Sequence, residues 1–278
     1  MLFASCRVRF TKRDNKMLID THSHIYEPEF DADRGEALQR CLDADVQLLL
    51  LPAIDGESYQ RLFDLVREYP NMMRPMMGLH PTSVNENPHW REDLEQVEAY
   101  LATPPEGVER FYGVGEIGLD FYWSKEYCRE QIEAFEQQIE LALQYDLPIA
   151  VHTRDAWEQM CEVIERFRGR GLRGVFHAFS SDVECYRRLR ACGEFVFGVG
   201  GVVTFKKSKL AEVVKQMPLE DIVLETDCPY LTPAPHRGER NESGYVKYIC
   251  AKVAELQGVD YEHVATQTTE NVKRIFRL

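Results

Sequence analysis

Two histidines, His22 and His24, stand two residues apart just after an apolar segment. On an extended strand such a pair points to one face and can grip one ion. Alone the pattern is weak, but it has company. His152 follows Ile149-Ala150-Val151, His177 follows Gly174-Val175-Phe176, Glu116 lies between glycines in VGEIGLD, and Asp227 follows Leu224-Glu225-Thr226. A single imidazole behind an apolar run is more often a hydrogen-bonded core residue than a ligand. The same chemistry at the ends of several segments favours a metal centre. Glu116 can bridge two cations, and Asp227 can bind a cation or take a proton from an attacking water. Glu225 shares the face of Asp227, either orienting a ligand from behind or forming an interior ion pair; Asp20 invites the same two readings. Mixed nitrogen and oxygen ligands suit magnesium, manganese or zinc. No cysteine is among them, which argues against a closed structural zinc site.

The elements that must position these residues are legible as an alternation. Short β-branched segments are predicted near Met17–Thr21, Val46–Ala53, Met73–Leu79, Phe111–Leu119, Leu147–Thr153, Gly174–Ala178, Phe195–Gly200 and Ile222–Thr226. Helical spacing is predicted over Arg34–Ala44, Tyr59–Glu68, Glu92–Leu101, Glu126–Tyr145, Ala156–Phe167, Val183–Ala191 and Leu210–Gln216, with two more near Tyr245–Leu256 and Glu262–Phe276. Such alternation implies a parallel sheet, and eight strand signals imply a closed α/β barrel, the (β/α)8 TIM barrel. The candidate residues then fall at strand C-terminal ends, with Glu116 ending the fourth. Barrels build active sites on that rim. The glycines of Gly113–Gly118 match a dinucleotide pattern only superficially, since they lie within a strand.

Bulk properties narrow the class. One domain is expected over 17–278, and residues 1–16, with Arg7, Arg9, Lys12, Arg13 and Lys16 against Asp14, read as a disordered or misassigned N-terminal extension ahead of Met17. The longest apolar run, Val46 to Ile54, falls short of the roughly 20 residues that cross a bilayer, so no membrane span is expected. Eight cysteines without a C-x-x-C pair read as reduced thiols of a cytoplasmic protein, with Cys228 a small space-filler. A net charge of −13 means that any polyanionic substrate must be met by local positive charge, including that of bound cations.

The motifs as a set, IDTHSH at Ile19–His24, MGLHP at Met77–Pro81, GEIGLDFY at Gly115–Tyr122, VHTRDA at Val151–Ala156, FHAFS at Phe176–Ser180 and ETDCPYLTP at Glu225–Pro233, resemble the TatD-family deoxyribonucleases of the amidohydrolase superfamily. The resemblance runs from Met17 to Leu278. It implies two divalent cations, one on His22, His24, Glu116 and Asp227, the other on Glu116, His152 and His177. It also implies a DNA substrate, single-stranded or end-frayed, cleaved by a 3′-to-5′ exonuclease, with no obligate protein partner. The family's Arg-Asn-Glu-Pro stands here as Arg240-Asn241-Glu242-Ser243, where serine can serve as a helix cap.

In the mechanism expected from these residues, paired cations make water nucleophilic, Asp227 accepts its proton, and His80 and Arg154 hold phosphate. Arg240 and Lys206 are further phosphate candidates, and Tyr122, Trp123 and Tyr230 could stack on a base or simply pack at the rim. Hydrolysis of a small amide, lactone or ester is the competing enzymatic reading, although no lysine stands where Glu116 is. A non-catalytic metal-binding scaffold is the remaining one.

Overall fold

The computed structural model describes residues 17–278; the extension expected over 1–16 lies outside the described residues. Eight parallel strands alternate with helices in the predicted order: β1 Leu18–Asp20, α1 Arg34–Asp43, β2 Val46–Pro52, α2 Gly56–Glu68, β3 Met73–Met76, α3 Trp90–Ala102, β4 Val114–Asp120 and α4 Cys128–Gln144. Then come β5 Ile149–Arg154, α5 Trp157–Arg166, β6 Arg173–Phe176, α6 Val183–Arg190, β7 Glu194–Val199, α7 Leu210–Val214, β8 Ile222–Leu224, α8 Val246–Gln257 and α9 Tyr261–Phe276.

Two ladders, β1-β2-β3 and β4 through β8, are joined at one seam by the Met77–Val114 bridge and at the other by the Ser23–Cys228 bridge. The sheet therefore closes on itself. At the second seam Thr21 N donates to Leu224 O at 3.1 Å, and the Asp20 carboxylate accepts from Thr226 N at 2.9 Å and from Thr226 Oγ1 at 2.6 Å. Asp20 thus ties the first strand to the last.

Because side chains alternate along a strand, one residue in two faces inward. Ile19, Leu50, Met76, Ala150, Val175, Val196 and Val223 form a dry interior layer, and Val272, Ile275 and Phe276 of α9 pack against it. Two residues further along the same inward faces come His152 after Ala150, His177 after Val175 and Glu225 after Val223. Period two thus stacks a layer of ionisable groups on a layer of methyl groups.

The structure departs from the predicted boundaries where local chemistry overrides periodicity. Helix α2 begins at Gly56 rather than Tyr59, because Asp55 accepts from Glu57 N and Ser58 N while Ser58 Oγ accepts from Asp55 N, a reciprocal cap. Strand β4 begins at Val114 rather than Phe111, whose ring lies buried in the outer core. Glu116 is the third residue of β4 rather than its end, because pairing with β5 runs on to Asp120. Among the described residues no helix is long and apolar enough to cross a membrane.

Candidate metal centre and active site

Glu116 is buried, and its two carboxylate oxygens face different partners. Oε2 lies 3.0 Å from His22 Nε2 and 3.5 Å from His24 Nε2; Oε1 lies 3.0 Å from His152 Nδ1, 3.5 Å from His80 Nε2 and 4.0 Å from His177 Nε2. Asp227 Oδ1 completes the first set at 3.5 Å from His24 Nε2 and 4.0 Å from His22 Nε2, and it also stands 3.6 Å from His177 Nε2. The carboxylate of Glu116 is therefore flanked by a ligand group on each side. The six residues expected as ligands are brought together with His80 among them. The atoms close enough to share an ion fall into His22-Glu116-His177, His22-His24-Asp227 and His80-Glu116-His152, so His80 rather than His177 accompanies His152.

Glycines make room for this crowding. A Cβ at Gly118, paired in register with His152, would stand 2.0 Å from His152 O, and one at Gly198 would stand 2.1 Å from Glu225 Oε2. Asp227 itself adopts φ 58°, a left-handed conformation that turns its carboxylate back over the barrel mouth.

The tautomers follow from what lies behind each ring. Tyr26 donates its hydroxyl to Pro52 O at 2.7 Å, so at 2.9 Å it can only accept from His24 Nδ1, leaving the Nε2 lone pair free towards Glu116 and Asp227. His152 has the opposite arrangement. Its Nε2 donates to Asp120 Oδ2 at 3.0 Å and its Nδ1 lone pair faces Glu116. Behind His177, Nδ1 is 3.0 Å from Glu225 Oε1, an ion-pair distance without hydrogen-bond alignment, while that same oxygen accepts from Ala178 N at 2.6 Å. Glu225 thus stands directly behind His177 at ion-pair distance, a position compatible with either of its two expected roles. Asp20 touches the ligand set only through the backbone N–H of His22, at 3.3 Å.

The donor set fits a cation on this geometry. His22 Nε2 and His24 Nε2 face each other at 3.1 Å, and His22 Nδ1 is buried without a partner. Lone pairs this close, out of reach of water, need a positive charge between them. The protein otherwise supplies that charge as protons. Burial opposes a charged ring at His24 and His177, yet Asp227 with Glu116 lifts His24 to about 9, and Glu225 with Asp227 lifts His177 to about 10. Burial and the neighbouring His177 instead push His22 down to about 4. For both acids burial works towards the neutral form and loses: His22 and His80 hold Glu116 well below the usual carboxylate range, and His177 with His24 lowers Asp227. A divalent ion would displace those protons, because ligation needs neutral rings with a free lone pair beside ionised acids.

A cavity of about 680 Å³ opens over the cluster, walled by His80, Trp123, Arg154, Tyr230 and Leu231 among others. His80 Nδ1 accepts from Thr82 N at 3.2 Å, so its Nε2 carries the proton and presents a donor to the cavity. The same nitrogen lies 3.5 Å from Glu116 Oε1, and His80 forms with Glu116 and His152 one of the groups that could hold an ion. The Arg154 guanidinium lies 3.6 Å from the centre of the Tyr122 ring and 5.6 Å from that of Trp123. Tyr122 is outside the cavity wall and acts on the site by holding Arg154.

Arg240 does not reach the cavity. Its guanidinium is spent on both oxygens of Asp33 at 2.7 and 2.8 Å, Glu242 Oε1 at 2.9 Å and Glu29 O at 2.7 Å. Its expected role in substrate binding is replaced by a structural one. Ser243 does not cap the following turn either; its hydroxyl bonds Ser23 Oγ at 2.9 Å in the barrel seam. Cys228 is wholly buried, and burial pushes its thiol up to about 12, as suits a space-filler. Asp120, Tyr26 and Asn241 were not singled out by the sequence. Asn241 holds the Asp227 turn by donating to Thr226 O and Tyr230 O.

Fold and site together define a barrel hydrolase of the metal-dependent class. The TatD related DNase family model matches residues 19–277. The chain is 36% identical over 263 residues to the uncharacterized metal-dependent hydrolase YabD of Bacillus subtilis (strain 168), covering 94% of this chain and all of that one. It is 33% identical to the uncharacterized metal-dependent hydrolase TatD of Mycobacterium tuberculosis, covering 94% and 98%. The crystal structure of YjjV, a TatD homologue of Escherichia coli K12, superposes with a TM-score of 0.85 at 29% identity, covering 94% of this chain and 98% of that chain. The protein belongs to the TatD related DNase family.

Proposed function

We propose that the protein hydrolyses phosphodiester bonds in DNA, in single-stranded or frayed ends, with two divalent cations held around Glu116. The observation that carries this reading is the double-sided environment of that carboxylate: His22 and His24 beside Oε2, with Asp227 next to His24, and His152, His80 and His177 beside Oε1. Bound there, the cations would supply Lewis acidity, polarising the phosphoryl group and making water a nucleophile near neutral pH.

The rest is done by the chain. Asp227, ionised and partly open to the cavity, accepts the proton of the attacking water. His80 Nε2–H and the Arg154 guanidinium donate to the non-bridging oxygens, and the Tyr122 ring keeps that guanidinium aimed. Trp123 and Tyr230, 68% and 50% exposed at the rim, offer faces on which a base can stack. Arginine and a donor histidine over the cluster favour a phosphodiester above a small cyclic amide.

The test is chelated protein reconstituted separately with magnesium, manganese and zinc, then assayed on end-labelled DNA, RNA and a panel of small esters and lactones. DNA cleavage restored by at least one metal, and lowered about 10²–10⁴-fold by Asp227→Asn, is the expected result. Turnover confined to carbonyl esters would overturn the reading.

A further inference from the structure

A second cavity, of about 750 Å³, abuts the first and shares Ser180, Val202 and Leu210 with it. Its walls bring Lys206, Lys207, Lys209 and Arg237 together. The three lysines come from the segment between β7 and α7, the arginine from the segment after β8. All four are exposed, and among the described residues none forms an ion pair with a carboxylate. In a chain with 46 acidic and 33 basic residues, most basic groups have acids within reach, and an unpaired cluster stands out.

The two segments are pinned together rather than loose. Ala234 N donates to Thr204 Oγ1 at 2.8 Å, and Thr204 Oγ1 donates to Gly201 O at 2.7 Å. A Cβ on Gly201 would stand 2.1 Å from Leu231 O, so the backbones are in direct contact. The Arg237 guanidinium lies 3.7 Å from the centre of the Phe205 ring, which fixes it as a flat cation beside the lysines. Fixed cations with no internal partner cost little to turn towards an external anion.

We infer that this groove is a second substrate subsite, which binds the sugar-phosphate backbone of a single-stranded nucleic acid where the strand leaves the metal cavity. The inference rests on the nuclease reading for its occupant, since a strand cut over Glu116 has to continue somewhere. The surface as a whole, at −13, repels such a strand. The groove is the adjoining wall that attracts it. The Ser208 hydroxyl, buried in this wall without a hydrogen-bond partner, is a further donor for a phosphate oxygen.

Fluorescence anisotropy of labelled decathymidylate with phosphorothioate linkages, bound to the metal-loaded protein over a range of salt, tests this directly. Combining Lys206→Ala, Lys207→Ala and Lys209→Ala should raise Kd about tenfold or more and reduce the slope of log Kd against log salt by about 2, at roughly 0.7 for each phosphate no longer neutralised. Lysine-to-arginine changes at the same positions should restore both, and binding of thymidine monophosphate, which needs only the metal cavity, should not change. An unaltered Kd and slope in the alanine variant would overturn the subsite, as would polyglutamate displacing the oligonucleotide as well as unlabelled DNA does. Lysine-dependent binding without any cleavage sinks the nuclease reading and leaves the groove standing; cleavage with lysine-independent binding does the reverse.

Discussion

At the scale of single residues, the metal centre is a matter of which nitrogen each imidazole presents. His24 offers Nε2 because Tyr26 takes its Nδ1 proton, and His152 offers Nδ1 because Asp120 takes its Nε2 proton. Removing the charge behind His152 should loosen the ring without removing a ligand. Asp120→Asn is expected to weaken metal affinity and activity about 10–100-fold, read by competitive metal titration, with secondary structure unchanged by circular dichroism; affinity equal to that of the unmutated protein would show that the Asp120 contact is idle. Of the ligand set, His152 and His177 were visible in the sequence because each follows an apolar run and a strand needs a reason to end in an imidazole, while the others were visible by their company. Asp120 was not, although it lies four residues beyond Glu116. Its role depends on the pairing of β4 with β5, and a one-residue change of register would have turned it away from His152.

At the scale of elements, Arg240 illustrates what spacing conceals. It lies in a loop on the rim, where an exposed arginine beside a metal site invites a phosphate. In the fold the same side chain joins Asp33, at the start of α1, to Glu242 after β8, with Arg40 of α1 contributing bonds to both acids. Arg240→Ala should cost about 2 kcal/mol, or roughly 4–8 °C in Tm by calorimetry, with KM for oligonucleotides little changed. A large rise in KM with Tm intact would return Arg240 to the substrate. The pH dependence follows with a definite sign. Arg240 and Arg40 hold the Asp33 carboxyl down at about 2, below its ordinary value of 3.8. A depressed acid contributes stability that is fully present above the ordinary value and lost as pH falls through the lowered one. The Tm difference between the unmutated protein and Asp33→Asn should therefore be complete at pH 5 and close as pH falls towards 2. The order and type of the strands and longer helices were legible because alternation repeats eight times; the start of α2 was not, since Asp55 and Ser58 fix it by hydrogen bonds that a hydrophobic period does not register.

At the scale of the whole molecule, closure of the barrel does what no segment can do. Residues 22 and 227 become neighbours because β1 and β8 meet, and the seam is fastened by Asp20 on Thr226. The net negative charge, read from composition alone, required any polyanionic substrate to be met by local positive charge. The structure gives that charge a distribution, with unpaired cations gathered in one groove beside the metal cavity. On the proposed reading, Glu116 divides two cation sites. Crystals soaked in manganese and measured at its absorption edge should give two anomalous peaks, one beside Oε2 among His22, His24 and Asp227 and one beside Oε1 among His152 and His177, with both weakened in Glu116→Ala. No peak within the histidine cluster, or a lone peak indifferent to loss of Glu116, would contradict it.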